Sequence, residues 1–277
     1  MQNRTFNLVR QTEDTRDHLF LVAGSLGFDK LVDLRPKMPI VYDQGALGSC
    51  AANVGAAAIS YLLKNRVRPS RLLIYYCCRV MQDRVNEDCG TTIRDTMKVI
   101  NQNGVCKETL WPYQVSKFAE KPSETATKAA QLIKSTRYKA VGQSQYELQA
   151  ALATGFPVAF GQTIKESFVS EEVAKSGVYK PELTEKTLGG HALLLVGYYY
   201  EGNSLTAIIR NSWGRKWGKA GYFTMPFSLL LNPELCFDFW VINTMTSPSS
   251  DELKLDRKPV SADPLEKPIF VKPKRKK

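Results

Sequence analysis

The sequence predicts an α+β protein, with a mainly helical first half and a mainly stranded second half. Three observations predict it. An alanine-rich, nearly apolar run extends from Ser49 to about Asn65. Helix-spaced segments with capping residues follow it. After Gly155 the texture changes to short β-rich runs separated by turn residues. The 277 residues, 43% hydrophobic and 23% charged, fit one large domain or two lobes sharing an interface.

Taken in order, residues 1–31 read as a leader and residues 32–248 as the main domain. Val32-Asp33-Leu34-Arg35-Pro36 through Asp43 reads as extended, punctuated by two prolines. The run from Ser49 to Asn65 suits a helix buried on all sides, with Ser49 as its N-cap. A second helix is expected over Ser70 to Gln82. A third is expected over Thr91 to Asn103, with Ile93, Met97 and Ile100 on one face and Gly104 as its stop. Leu110-Trp111-Pro112-Tyr113 reads as a turn or loop, and a further helix is expected from Ser123 to Thr136. Ser144 and Glu147 have capping-box spacing and open a short helix ending near Gly155. The strand candidates are Phe156–Phe160, Ala192–Tyr200, Leu205–Arg210, Gly221–Met225 and Cys236–Asn243. Gly202-Asn203 forms a hairpin turn between two of them.

Composition removes several classes. No apolar stretch approaches the ~18 residues of a membrane span, so no membrane association is expected. Met1-Gln2-Asn3-Arg4-Thr5 lacks the order of a secretory signal. A cytoplasmic protein is expected, with a virion or the nucleus as alternatives. Cys50, Cys77, Cys78, Cys89, Cys106 and Cys236 do not form a disulfide framework and are expected to be reduced. No paired C-x-x-C motif and only two histidines are present, so no zinc site is expected. No metal or organic cofactor is implied. The net charge is +11, of which the segment 249–277, with 9 basic and 5 acidic residues, supplies +4. Its final cluster, Lys272 to Lys277, suits either a solvated, disordered tail or a weak nucleic-acid contact or nuclear address. Composition favours the first.

Chemistry concentrates in three islands. Cys50 lies at the predicted start of the buried helix, where backbone N–H groups and the helix dipole favour a thiolate. A packed core thiol is the ordinary fate of a free cysteine and suits Cys77, Cys78, Cys106 and Cys236. It suits Cys50 poorly, because Gly45 and Gly48 give it a tight, exposed approach. His191, the only histidine apart from His18, follows Gly189-Gly190 at the head of an apolar strand. A lone histidine beside such a run is usually structural. Here a cysteine and an asparagine flank it in chain order, as a nucleophilic-cysteine site requires. Asn211 ends the next strand, and a hairpin would bring it beside His191, where its oxygen could fix the imidazole. Trp213 could cover that hydrogen bond and exclude water. Gln44, six residues before Cys50, could offer its amide N–H, with the Cys50 backbone N–H, to an oxyanion.

These residues resemble the papain-like cysteine peptidases. The matching pieces are Gln44-Gly45…Gly48-Ser49-Cys50, His191-Ala192, and Asn211-Ser212-Trp213-Gly214 through Tyr222. His191 lies 141 residues after Cys50, inside the ~130–150 of the family. Asn211 lies slightly beyond, an excess the Tyr198–Ser204 hairpin could absorb. The resemblance covers roughly Val32 to Asn243. It implies a two-lobe fold, with a helical left lobe, a β-rich right lobe and an active-site cleft between them. It also implies a monomeric enzyme acting on a protein or peptide substrate through an acyl-enzyme. Cys50 would be the nucleophile, His191 the base and acid, Asn211 the orienting residue and Gln44 the oxyanion donor. Gly90 and Trp213 would contact the substrate. Ala51 stands where lysosomal and plant members carry tryptophan, and Leu47 where they carry a disulfide cysteine. No long propeptide precedes Gln44. The chain is therefore more similar to short intracellular members from bacteria and large DNA viruses, and residues 1–31 are expected to cross the cleft. Two rival readings are acyl transfer on the same scaffold and a nucleic-acid-associated protein using the basic tail.

Overall fold

One half of the molecule is a seven-stranded antiparallel sheet and the other is helical, as the computed structural model of residues 4–22, 24 and 26–246 shows. The basic segment 249–277, its terminal cluster included, lies outside these described residues. The elements run β1 (Leu31–Asp33), α1 (Cys50–Leu62), α2 (Arg71–Met81), α3 (Ile93–Gln102), α4 (Glu124–Ala130), β2 (Ser135–Ala140) and α5 (Gln145–Ala153). They continue with β3 (Val158–Lys165), α6 (Glu171–Ser176), β4 (Thr187–Glu201), β5 (Ser204–Arg210), β6 (Tyr222–Pro226) and β7 (Cys236–Met245). The strand order is β2-β7-β3-β4-β5-β6, and β1 joins β4 beyond the end of β3.

Helix α1 forms because its run of alanines carries little side-chain entropy and no polar burden. Every residue from Cys50 to Ser60 is buried. It packs between β4 on one side and α2 and α3 on the other. Gly55 permits the approach of α3, since a Cβ there would lie 2.9 Å from Ile100 and Thr96. Ser70, Thr92, Ser123 and Ser144 accept first-turn N–H groups of their helices, and Ser144 also donates to Glu147 at 2.7 Å.

Two predicted features are corrected. The helix expected over Ser123 to Thr136 stops at Ala130, and Ser135–Ala140 is instead strand β2 on the sheet edge. Lys134 and Thr246, at the open end of the β2–β7 pair, exchange hydrogen bonds that fix this register. Ser49 holds the N-cap position of α1, but its hydroxyl caps nothing. It bonds Tyr113 at 2.6 Å and Asn53 at 3.1 Å instead.

The leader is part of the fold. Phe20 is buried against Phe156, and its N–H donates to the Ala140 carbonyl on β2 at 2.7 Å. Asp17 pairs with Arg94 on α3, whose Nη1 also donates to the Thr12 carbonyl. Residues 4–9 continue from there over the ends of α1 and β4. Among the described residues no helix is long and apolar enough to cross a membrane.

Candidate active site

Cys50 is the first residue of α1. Because the Ser49 hydroxyl turns away, the first-turn N–H groups of Cys50 and Ala51 face the sulfur, together with the N–H of Ala192 from β4. Those donors favour a thiolate. Burial nevertheless wins, with the Asp88 charge assisting it, and pushes the thiol up to about 11. The exposed approach expected from Gly45 and Gly48 is therefore not what the structure holds: Cys50 is 1% exposed. The leader runs across that approach, its Asn7 amide sitting where a Gly48 Cβ would be, 2.2 Å away.

His191 lies inside β4, paired with Gln162 of β3. The β4–β5 hairpin turns at Gly202-Asn203 and brings Asn211 back beside it. His191 Nε2 and Asn211 Oδ1 are 2.9 Å apart. Asn211 Oδ1 also accepts the Ser212 N–H at 2.8 Å, which sets the amide orientation. The other imidazole nitrogen, Nδ1, has no hydrogen-bond partner. Trp213 lies 5.2 Å from the imidazole at 37°, with Phe168 beside both rings. Phe6 of the leader closes the remaining side, edge-on to His191 at 6.2 Å and to Trp213 at 5.9 Å. Burial pushes the imidazole down to about 4; the Asn211 bond opposes this and the Arg4 charge adds to it. Burial thus favours the neutral form of both the thiol and the imidazole.

Gln44 is fixed on all sides. Its N–H donates to the Ser212 carbonyl at 2.9 Å. Its Oε1 accepts from Ser212 Oγ at 2.5 Å, and its Nε2 donates to the Leu47 carbonyl at 3.0 Å. An amide nitrogen carries two hydrogens, so one remains for a ligand. Tyr113 donates to the Gln44 carbonyl at 2.9 Å and stacks on Arg71 at 3.9 Å. Arg71 in turn donates to the Asp43 carbonyl, to Asn53 and, through two nitrogens, to Glu108.

Gly90 has φ +72°, and a Cβ there would lie 1.9 Å from the Asn7 carbonyl oxygen. On the opposite wall Leu8 N–H donates to the Gly190 carbonyl at 3.1 Å, and a Gly189 Cβ would meet the Phe6 carbonyl at 2.2 Å. Only glycine lets a backbone lie this close on both walls. The structure thus gathers Cys50, His191, Asn211, Gln44, Gly90 and Trp213 around one cleft, with residues 4–9 inside it.

Sequence reasoning missed the buried unit that joins the cleft walls. The Gly48 N–H points at both Asp88 carboxylate oxygens, 3.0 Å from each. The Tyr75 hydroxyl donates to Asp88 at 2.5 Å and accepts the Gly90 N–H at 3.1 Å. Burial, reinforced by Asp88, holds the phenol well above its ordinary value, so it remains a donor. No local pattern around Asp88 signals a contact reaching Gly48, 40 residues away. All six cysteines are free, and Cys78, Cys106 and Cys236 are packed thiols. No cluster of metal-ligating side chains occurs among the described residues.

The model of the papain family cysteine proteases matches residues 29–228. A peptidase C1-like protein of Acanthamoeba polyphaga mimivirus, itself uncharacterised, is 35% identical over 279 aligned residues and 89% of each chain. The viral cathepsin of Adoxophyes honmai nucleopolyhedrovirus is 29% identical over 78% of this chain and 64% of that one. Among solved structures, xylellain, a cysteine protease from Xylella fastidiosa, superposes with a TM-score of 0.81 at 37% identity, covering 88% of this chain and 97% of its own. With most of its length matched by the family model and by two proteins above 30% identity, this chain belongs to the papain family and is a cysteine peptidase.

Proposed function

We propose that Cys50 is the nucleophile of this peptidase and His191 its partner base. The observation that carries the reading is the His191–Asn211 hydrogen bond under Trp213, which leaves Nδ1 as the free nitrogen of a ring adjoining Ala192, whose N–H meets the Cys50 sulfur. His191 Nδ1 takes the thiol proton, and the sulfur attacks the scissile carbonyl. The carbonyl oxygen takes up negative charge and is met by the Cys50 N–H and the free hydrogen of Gln44 Nε2. His191 then gives its proton to the leaving amine. A water activated by the same nitrogen later releases the acyl group from Cys50. Asn211 holds the ring in the required tautomer throughout, and Ser212 keeps the Gln44 amide facing the oxyanion. Gly90 pairs with the substrate backbone, and Trp213 covers the imidazole beside it.

In this reading residues 4–9 close the enzyme, and the two neutral side chains mark its resting form. The protein acts as a cytoplasmic monomer, with segment 249–277 adding at most a weak nucleic-acid contact. Labelling by an E-64-type epoxide, followed by mass spectrometry, tests the nucleophile. One adduct on Cys50 is expected, absent from Cys50→Ala, which should lose turnover while keeping its melting temperature. Turnover retained by Cys50→Ala would sink the assignment. A shift of nucleic acid in a low-salt gel, lost on removing 249–277, tests the tail.

A further inference from the structure

Arg4 occupies a site made by the body of the protein. Its Nη1 lies 2.7 Å from Asp43 Oδ1 and 3.0 Å from the Gly45 carbonyl oxygen. Its guanidinium stands over the Trp213 indole, 5.4 Å from the ring centre. The arginine side chain is 14% exposed, and Asp43 remains 47% exposed beside it.

The acceptors are held in place independently of Arg4. Asp43 Oδ1 accepts the Gly45 N–H at 2.9 Å, and the Asp43 carbonyl accepts from Arg71 at 3.0 Å. The Asp43 backbone bridges to Trp213. Its carboxylate lies against Gly214, where a Cβ would come within 3.2 Å of Oδ2. Burial pushes the carboxyl up, but Arg4, the Gly45 N–H and the Arg71 charge outweigh it and leave it below its usual range. Arg4 is the largest of these influences; the Gly45 N–H and the Arg71 charge stay when it goes, and water reaches the vacated carboxylate. What remains is an anion, a carbonyl and an indole face converging on one volume, in a chain whose net charge is +11. A planar, weakly hydrated cation suits that set better than an ammonium does.

We propose that Asp43, the Gly45 carbonyl and Trp213 form a guanidinium subsite, which takes an arginine side chain of the protein substrate once Arg4 has left it. The enzyme then selects substrates with arginine at one fixed position on the Trp213 side of the bond under attack. This rests on the peptidase reading of Cys50 and His191 given above.

The test uses the full-length chain carrying Arg4→Ala, which vacates the subsite, and the same chain with Asp43→Asn added. Peptides are compared in pairs that differ only by arginine against citrulline, its uncharged isostere, at successive positions around the cleaved bond. At one position, arginine should be favoured about tenfold in kcat/KM, as one good charge-assisted contact supplies. In the Asp43→Asn chain the preference should collapse to within about twofold. Cleavage with no arginine preference anywhere overturns the subsite. A second measurement does not need turnover. N-acetyl-arginine methylamide should shift the Trp213 indole N–H resonance of the Arg4→Ala chain, the citrulline analogue should not, and Asp43→Asn should abolish the shift. Shifts without any peptide cleavage would uphold the subsite and overturn the peptidase assignment instead; no shift at millimolar ligand, with or without cleavage, overturns the subsite.

Discussion

The two stretches of the leader are held by different forces. Residues 4–9 lie over glycines and are fixed mainly by hydrogen bonds, a backbone pair with Gly190 among them, by the Arg4–Asp43 ion pair, by the edge of Phe6 and by the buried Leu8. Residues 11–22 are tied down by groups that are themselves buried: Phe20 in the core, Arg94 paired to Asp17, and Trp240 Nε1 donating to Gln11 at 3.0 Å. When the first stretch leaves, water and substrate can replace its polar contacts, and Leu8 is the one core side chain it gives up. The second cannot leave without exposing an aromatic ring and stranding a charge. An opening of the cleft is therefore expected to divide the leader near Arg10 and leave the anchor in place.

The largest effects should come from the anchor. Phe20→Ala should cost about 3 kcal/mol, as core phenylalanine truncations do, read as a lower denaturant midpoint. Arg94→Ala leaves Asp17 unpaired and should cost about 2–3 kcal/mol. Neither should change the rate of Cys50 labelling in protein that is still folded; a faster rate would mean that the two stretches move together.

Phe6→Ala should act the opposite way, with stability nearly unchanged and Cys50 labelling about tenfold faster, since losing roughly 1.5 kcal/mol of apolar contact shifts the closed fraction by that factor. The pH profile gives the same comparison a sign. Desolvation raises the Cys50 thiol to about 11 and lowers the imidazole to about 4. Admitting water relieves both, so the labelling profile of Phe6→Ala should move to lower pH. An unmoved profile would show that α1 and β4, not the leader, bury the sulfur.

Gly90→Ala separates occupant from substrate. Its Cβ would strike the Asn7 carbonyl, so labelling by a small alkylating agent should quicken several-fold. Peptide kcat/KM should fall about tenfold, because the same wall must accept a substrate backbone. Asn7→Ala is the mildest change. It removes one hydrogen bond to the Asp88 carbonyl, 2.7 Å long, worth about 1 kcal/mol, and should raise labelling a few-fold.

Much of this was legible in the sequence where a local pattern decides. The alanine run placed α1, the Gly202-Asn203 turn placed the hairpin, and chain order grouped Cys50, His191, Asn211 and Gln44. Strand β2 was not legible because Ser135–Ala140 is a half-exposed strand of mixed polarity, paired along β7 and bridged only at Ala140 by the leader. The direction of the thiol shift was misjudged for a different reason. A helix N-terminus acidifies a thiol that water reaches, and this thiol is buried. Asp88, Tyr75, Tyr113 and Arg71 escaped notice because their partners are distant in sequence.

The Asp88–Tyr75 unit has a practical corollary. It aligns the Cys50 loop with the Gly90 wall using only oxygen and nitrogen, and the cleft contains no sulfur–sulfur bond. Reducing surroundings protect a nucleophilic thiol from oxidation. The conditions that preserve the reactive atom therefore cannot loosen the frame that aims it.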